Sequence, residues 1–173
     1  MSQSKRSTSG SERVQEFAVP GVAIKEMEGF RVATVRHRGP SDEIGLAFQR
    51  LLRLLHQRRV RPIGPMIVLR RDMPRESTSA GETSAAAVPV ARDVRGDAEL
   101  RIEDLPPAEV ASLMFEGTPT QVAEGYAILR RWIEVEGFVR AGPIREIYSR
   151  DLSELPPGIV YMEIQIPVRK KRP

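Results

Sequence analysis

The residue types best placed to do chemistry are two carboxylates on strand-like segments late in the chain. In GPIREIYSRD, residues 142–151, Glu146 stands between Ile144 and Tyr148; in YMEIQIPV, Glu163 stands between Tyr161 and Gln165. Alternation at period two puts Ile144, Glu146 and Tyr148 on one face of the first segment and Arg145, Ile147 and Ser149 on the other. On the second segment Met162, Ile164 and Ile166 read as core, so Tyr161, Glu163 and Gln165 face away. If Ile147 shares that core, Glu146 and Glu163 lie together on a non-core face. That face is either a solvated sheet surface or the wall of a cleft. In an apolar cleft the charged form of a carboxylate is destabilised, and its pKa rises unless a cation neutralises it. A lipophilic cation removes that cost, and aromatic faces add about 0.5–2 kcal/mol per cation–π contact. Tyr148 and Tyr161, with Tyr126 and Trp132 on the preceding helix, are the aromatic candidates, and Met66 and Val68 are candidate apolar walls.

Other chemistries find little support. The chain has no cysteine and only two histidines, His37 and His56, which removes disulfides, thiolate sites and any zinc site without several converging carboxylates. His37 in RHRGP reads as a strand-end histidine. No Ser-His-Asp or Cys-His arrangement can be assembled, and no phosphate-binding glycine loop is present, so no catalytic residue, metal or cofactor is assigned. Were the protein an enzyme, Glu146 would be its first candidate. The formal charge of +4 comes from 23 Arg and 4 Lys against 23 acidic residues. Apart from the RKKRP tail these cations are dispersed, which describes a solvated surface better than a nucleic-acid groove, and direct DNA binding is not expected. No apolar run reaches membrane-spanning or signal-peptide length, so the reading is a cytoplasmic protein without membrane contact.

The elements that would carry these residues recur at an offset of 78. Residues 24–90 align with 102–168 without a gap, giving eleven identities in 67 pairs, against roughly four from composition. Shared punctuation (HRGP with FEGT, IGP with AGP, VPV with IPV) implies a shared order of elements. Each half reads β-β-α-β-β. VAIKEM and FRVATVRH form a hairpin about Glu28 and Gly29; LRIEDL and EVASLMF repeat it about Pro106 and Pro107. Ser41 caps a first helix that buries Ile44, Ala47, Phe48, Leu51, Leu52 and Leu55. Thr118, followed by Pro119, caps a second that buries Val122, Tyr126, Leu129 and Ile133, with Trp132 on its flank. The expected fold is α+β: two duplicated halves, 22–92 and 98–168, related by a pseudo-twofold axis. Their antiparallel sheets carry helices on one side and leave a central cleft. A disordered tail (1–19), a mobile loop (73–84) and a basic tail (169–173) complete the division. At the offset, Glu146 and Glu163 align with Val68 and Ala85, so their charge belongs to one half only.

IKEMEGFRVATVRHRGPSDEIGLAFQRL, GYAILRRWIEVEGFVRAGPIREIYSRD and YMEIQIPV together resemble the DNA gyrase inhibitor-like (GyrI-like) domain. That domain is also the effector-binding module of some MerR- and AraC-type transcription activators, and the resemblance spans roughly residues 20–168. It implies a cleft for lipophilic, often cationic or aromatic, small molecules, with a buried glutamate at its base in GP-x2-EIY, here Glu146. A stand-alone sensing or sequestering protein follows, with a transcription regulator or gyrase as possible protein partner. The resemblance carries two alternatives. One is a hydrolase of cyclopropane-bearing electrophiles; the other is a protein-interaction module acting on gyrase.

Overall fold

Period-two segments become strands and period-3.6 segments become helices, in the order expected. The computed structural model describes residues 15–16, 21–73, 83–148 and 155–172. The strands are β1 (Gln15–Glu16), β2 (Val22–Met27), β3 (Phe30–Arg38), β4 (Met66–Arg70) and β5 (Thr83–Pro89). They continue with β6 (Arg101–Leu105), β7 (Ala108–Gly117), β8 (Phe138–Arg140), β9 (Ile144–Tyr148) and β10 (Val160–Lys170). Helices α1 (Ile44–Gln57) and α2 (Val122–Val135) each follow a short 3-10 turn, Ser41–Glu43 and Pro119–Gln121. The sheet is antiparallel throughout these pairings and runs β1-β2-β7-β10-β9-β4-β5-β3-β6, with β8 alongside the end of β10. The fold is α+β.

The two expected hairpins do not form. β2 pairs with β7, and β6 pairs with β3, so each half's first strand is added to the other half's sheet. Burial explains the exchange. Val22 and Ile24 join the apolar cluster under α2, while Leu100 and Ile102 join the one under α1. The links Glu28–Gly29 and Pro106–Pro107 therefore connect strands six steps apart in the sheet. Laid flat, six steps would span ~29 Å, whereas three Cα–Cα steps reach ~11 Å at most. The sheet must coil until its ends meet, and the two links touch: a Cβ at Gly29 would lie 3.0 Å from the Leu105 carbonyl oxygen and from Pro107 Cδ.

The coil gives the sheet two differently covered faces. On the outer face α1 packs on β3 and β5, and α2 on β7, β8 and β10. The inner face holds its own cluster of Val32, Ile67, Leu69, Ala87 and Leu105, with Phe30, Ala85 and Ile147 against it. Ile147 therefore leaves the helix-side core. α1 buries Ala47, Leu51, Leu54 and Leu55, while Leu52, expected in that stripe, is 44% exposed and cedes its place to Leu54.

The offset of 78 holds in the register. Moving both members of the pair Val32↔Pro89 by 78 gives Val110↔Pro167, and Ile67↔Ala87 gives Arg145↔Gln165; both pairs occur. The repeated Gly-Pro punctuation has a packing cause. Ile63 and Ala141 donate backbone N–H to the carbonyls of Pro89 and Pro167, at 2.9 and 2.7 Å. The glycines that follow lie against those prolines, where a Cβ at Gly64 would come within 2.8 Å of Pro89 Cγ.

Boundaries shift in three places. Gln15–Glu16, placed in the disordered tail, pair with β2, and Arg169 and Lys170 of the basic tail extend β10 against β8. Of the expected mobile loop, Met73 is described and β5 begins at Thr83, whereas residues 74–82 lie outside the described residues. β8, within EGFVR, was not anticipated.

The link geometry is testable. Gly29→Ala forces side-chain volume between two backbones and should lower stability by about 1–3 kcal/mol in urea unfolding. Gly45 in α1 has open space around its Cβ position, so Gly45→Ala should raise stability by about 0.5–1 kcal/mol. Equal effects would contradict the crossing of the links.

Candidate functional site

Between the footprints of the two helices lie the central strands β4 and β9. Their outward residues are Met66, Val68 and Arg70 on one and Ile144, Glu146 and Tyr148 on the other, paired Met66↔Tyr148, Val68↔Glu146 and Arg70↔Ile144. The residue opposite Glu146 is thus its own counterpart at offset 78.

Glu146 is 2% exposed and saturated with donors. Arg70 donates from Nε to Oε1 at 2.7 Å and from Nη2 to Oε2 at 3.3 Å; the Tyr126 hydroxyl donates to Oε1 at 2.6 Å and the Tyr148 hydroxyl to Oε2 at 3.3 Å. Four donors fill about the four lone-pair positions that a carboxylate offers. Each element supplies one part: α2 brings Tyr126 down from its buried stripe, β9 carries Glu146 and Tyr148, and β4 ends on Arg70. Arg70 also donates from Nη1 to Ser41 Oγ at 3.2 Å. Ser41 was expected to cap α1, but no side-chain cap bond forms at that turn, and its hydroxyl faces the site instead.

The electrostatics follow from burial and pairing. Burial alone would lower the Arg70 pKa, but the Glu146 carboxylate outweighs it and holds the guanidinium above its ordinary value. Both tyrosine hydroxyls are pushed well upward, first by burial and then by the adjacent carboxylate, so they remain protonated donors. Among the described residues the site pairs one guanidinium with one carboxylate, and two phenolic oxygens line it.

The remaining sequence candidates separate into three groups. Tyr126 and Tyr148 meet Glu146, while Met66 and Val68 lie directly across from Tyr148 and Glu146. Glu163 and Tyr161 do not join them. The antiparallel register pairs Ile164, not Glu163, with Glu146, and places Glu163 opposite Ile147 on the inner face. There Glu163 accepts from Lys25 Nζ at 2.9 Å, Ser112 Oγ at 2.6 Å and Gln165 Nε2 at 3.0 Å. Burial acts to raise its pKa, but these donors prevail and hold the carboxyl below its ordinary value. The expectation that both carboxylates share a non-core face is therefore corrected: Ile147 turned out to belong to the inner cluster, not the helix-side one. Trp132 is fully buried in the α2 core, stacked on Phe138 with ring centroids 5.6 Å apart, so it packs the helix and does not line the strip. His37 closes the turn after β3, its Nε2 lying 3.0 Å from the Pro40 carbonyl oxygen.

Arg70 and Ser41 escaped the sequence reading. A signal for Arg70 existed: at offset 78 it is the counterpart of Tyr148, two residues beyond Val68 on the same strand face. Among the described residues no group of three or more metal-ligating side chains converges, and no helix is long and apolar enough to cross a membrane.

The comparisons agree with this architecture. None of the curated proteins matches the chain in sequence. Among solved structures, the EcmrR C-terminal domain superposes with a TM-score of 0.72 at 18% identity, covering 91% of this chain and 99% of that one. A hydrolase from Listeria innocua gives 0.65 at 12% identity, covering 86% and 92%. SAV2435 bound to tetraphenylphosphonium gives 0.54 at 13% identity, covering 86% and 93%. At these identities the likeness is one of fold. The profile of the GyrI-like small molecule binding domain matches residues 20–169, nearly all of the described chain. The protein belongs to the GyrI-like small-molecule-binding domain family.

Proposed function

We propose that the protein binds a lipophilic small molecule on the strip between α1 and α2, over the Arg70–Glu146 pair, as a sensing or sequestering module. The observation that carries this reading is the pair itself. A buried ion pair contributes little net stability compared with apolar residues of similar size. Here it lies on the strip where neither helix makes its main contacts, beside two tyrosine hydroxyls. Such a cost at the junction of the two halves favours recognition over packing.

The pair also refines the ligand's charge. A lone buried glutamate would select cations; this one already has a cation of its own. A cationic ligand reaches Glu146 by displacing Arg70 towards Ser41, so Arg70 competes with it, while a neutral aromatic ligand feels no such competition. SAV2435, which shares the fold, is bound to tetraphenylphosphonium, and that cation is the natural probe. A hydrolase would need Glu146 to take a proton from water, and its acceptor positions are filled, which favours binding over turnover.

Two measurements test the reading. In urea unfolding, Arg70→Met and Glu146→Leu should each cost about 3–5 kcal/mol, because each removes one partner of a buried ion pair. The double variant should recover most of that loss; simple additivity would mean that the two charges do not interact. In calorimetric titration, Arg70→Met should bind tetraphenylphosphonium about tenfold or more tighter than the parent. Glu146→Gln should bind it correspondingly more weakly, and the neutral analogue triphenylphosphine oxide should respond to neither change. Parallel responses of both ligands would refute competition by Arg70.

A further inference from the structure

On the inner face of the sheet, away from the Arg70–Glu146 strip, the ends of β3 and β4, the middle of β6, the start of β5, and the turn from β8 to β9 border a half-open cavity of about 450 Å³. Three arginines line it, Arg36, Arg71 and Arg140, and the one carboxylate among its described lining residues is Glu103. We propose that this cavity is a binding site for a small organic anion, a carboxylate or a phosphate carried on an apolar body.

The strand register builds the site. Arg36 pairs with Ala85 and Ala85 with Leu69, so the side chain of Arg36 rises at one end of an apolar floor that Pro143 extends. Arg140 donates from Nη1 to the Arg71 carbonyl oxygen, which ties the β8–β9 turn to the end of β4 and draws two of the arginines to one rim. Among the described residues neither Arg36 nor Arg71 has a carboxylate partner. Glu103 accepts from Thr34 Oγ1 at 3.3 Å, so part of its acceptor capacity is used within the sheet. The described lining residues carry three positive charges and one negative one.

A fourth guanidinium adds to this field. Arg145, the cross-strand neighbour of Leu69, is 1% exposed and has no ion-pair partner among the described residues. It lies over the Phe30 ring at 5.3 Å, and its Nε and Nη1 have no hydrogen-bond acceptor. Among the described residues Glu103 offsets only part of this positive potential beside the apolar floor, and an anion would relieve the rest. Guanidinium groups pair with carboxylate and phosphate oxygens in bidentate fashion. The scaffold does not demand these cations. At offset 78, Arg36 corresponds to Met114, so β7 forms without a cation at that position, and Arg140 corresponds to Pro62, which lies outside any strand.

Benzoate and phenyl phosphate are suitable probes, with benzyl alcohol as the neutral control, in backbone-amide NMR titrations at low salt. Saturable shifts are expected at Leu69 and Ala85 with one or both anions, at dissociation constants of about 0.1–1 mM, and none with benzyl alcohol. Whichever anion binds more tightly identifies the headgroup. Arg36→Gln and Arg71→Gln should each weaken binding about fivefold to tenfold while thermal unfolding stays near that of the parent. Glu103→Gln should tighten binding severalfold, which serves as a second test if an arginine variant folds poorly. Absence of saturable shifts with both anions, equal binding of benzyl alcohol, or affinity indifferent to all three substitutions would overturn the proposal.

Discussion

Two links of two residues each dictate most of this architecture. Glu28–Gly29 and Pro106–Pro107 join strands that lie at opposite ends of one sheet, and neither can stretch across it. The sheet coils in consequence, and coiling divides its surfaces. One face receives helices and keeps a strip free between them; the other closes on itself and buries side chains such as Ile67, Arg145 and Gln165 without any helix. The exchange of first strands follows from burial, since Val22 and Ile24 pack in the α2 cluster and Leu100 and Ile102 in the α1 cluster. Each helix then rests partly on a strand from the other half, so the halves share their cores and do not merely abut.

On the free strip the chain places opposite charges where packing alone would prefer apolar groups. Desolvating Arg70 and Glu146 is offset by four donors on one carboxylate, two of them from a guanidinium whose geometry suits bidentate pairing. Removing Arg70 would leave the buried Glu146 carboxylate without the guanidinium that pairs with it. The arrangement is therefore rigid while intact and costly to disturb. A ligand can disturb it only by offering a better partner to one of the two charges.

Much of this was legible in the sequence, for identifiable reasons. Element order was readable because Gly-Pro and Val-Pro or Ile-Pro punctuation recurs at 78, and the structure shows why: each glycine lies against the later proline. Glu146 was readable because a carboxylate replaces Val68 in an otherwise apolar alternation. Strand pairing was not readable, since a two-residue link between alternating segments is also what a hairpin looks like. The faces of β9 were not readable either: the register places Ile147 in the inner cluster, opposite Glu163, and so turns Glu163 away from Glu146. Trp132 could have been core or cleft from its place on the helix flank, and only its stacking on Phe138 decides for core. Arg70 was overlooked because a strand-end arginine ordinarily reaches water.

A sheet whose register repeats under an offset offers equivalent positions in pairs, and a scaffold can fill both alike. Val32 with Val110, Ala33 with Ala111 and Pro89 with Pro167 are filled alike, and all serve packing. Function needs the symmetry broken, since an asymmetric ligand cannot satisfy two identical half-sites. The departures gather about the central strands. On the outer face Glu146 stands against Val68 and Tyr148 against Arg70; on the inner face Arg145 stands where the other half has Ile67, and Arg36 where it has Met114. Both faces of β4 and β9 therefore carry charge that the repeated register does not require. Among the described residues the outer charges are matched to each other, whereas Arg36 and Arg145 have no carboxylate partner. Paired charge makes a closed device that a ligand must compete to enter, whereas unpaired positive charge makes an open one that an anion completes.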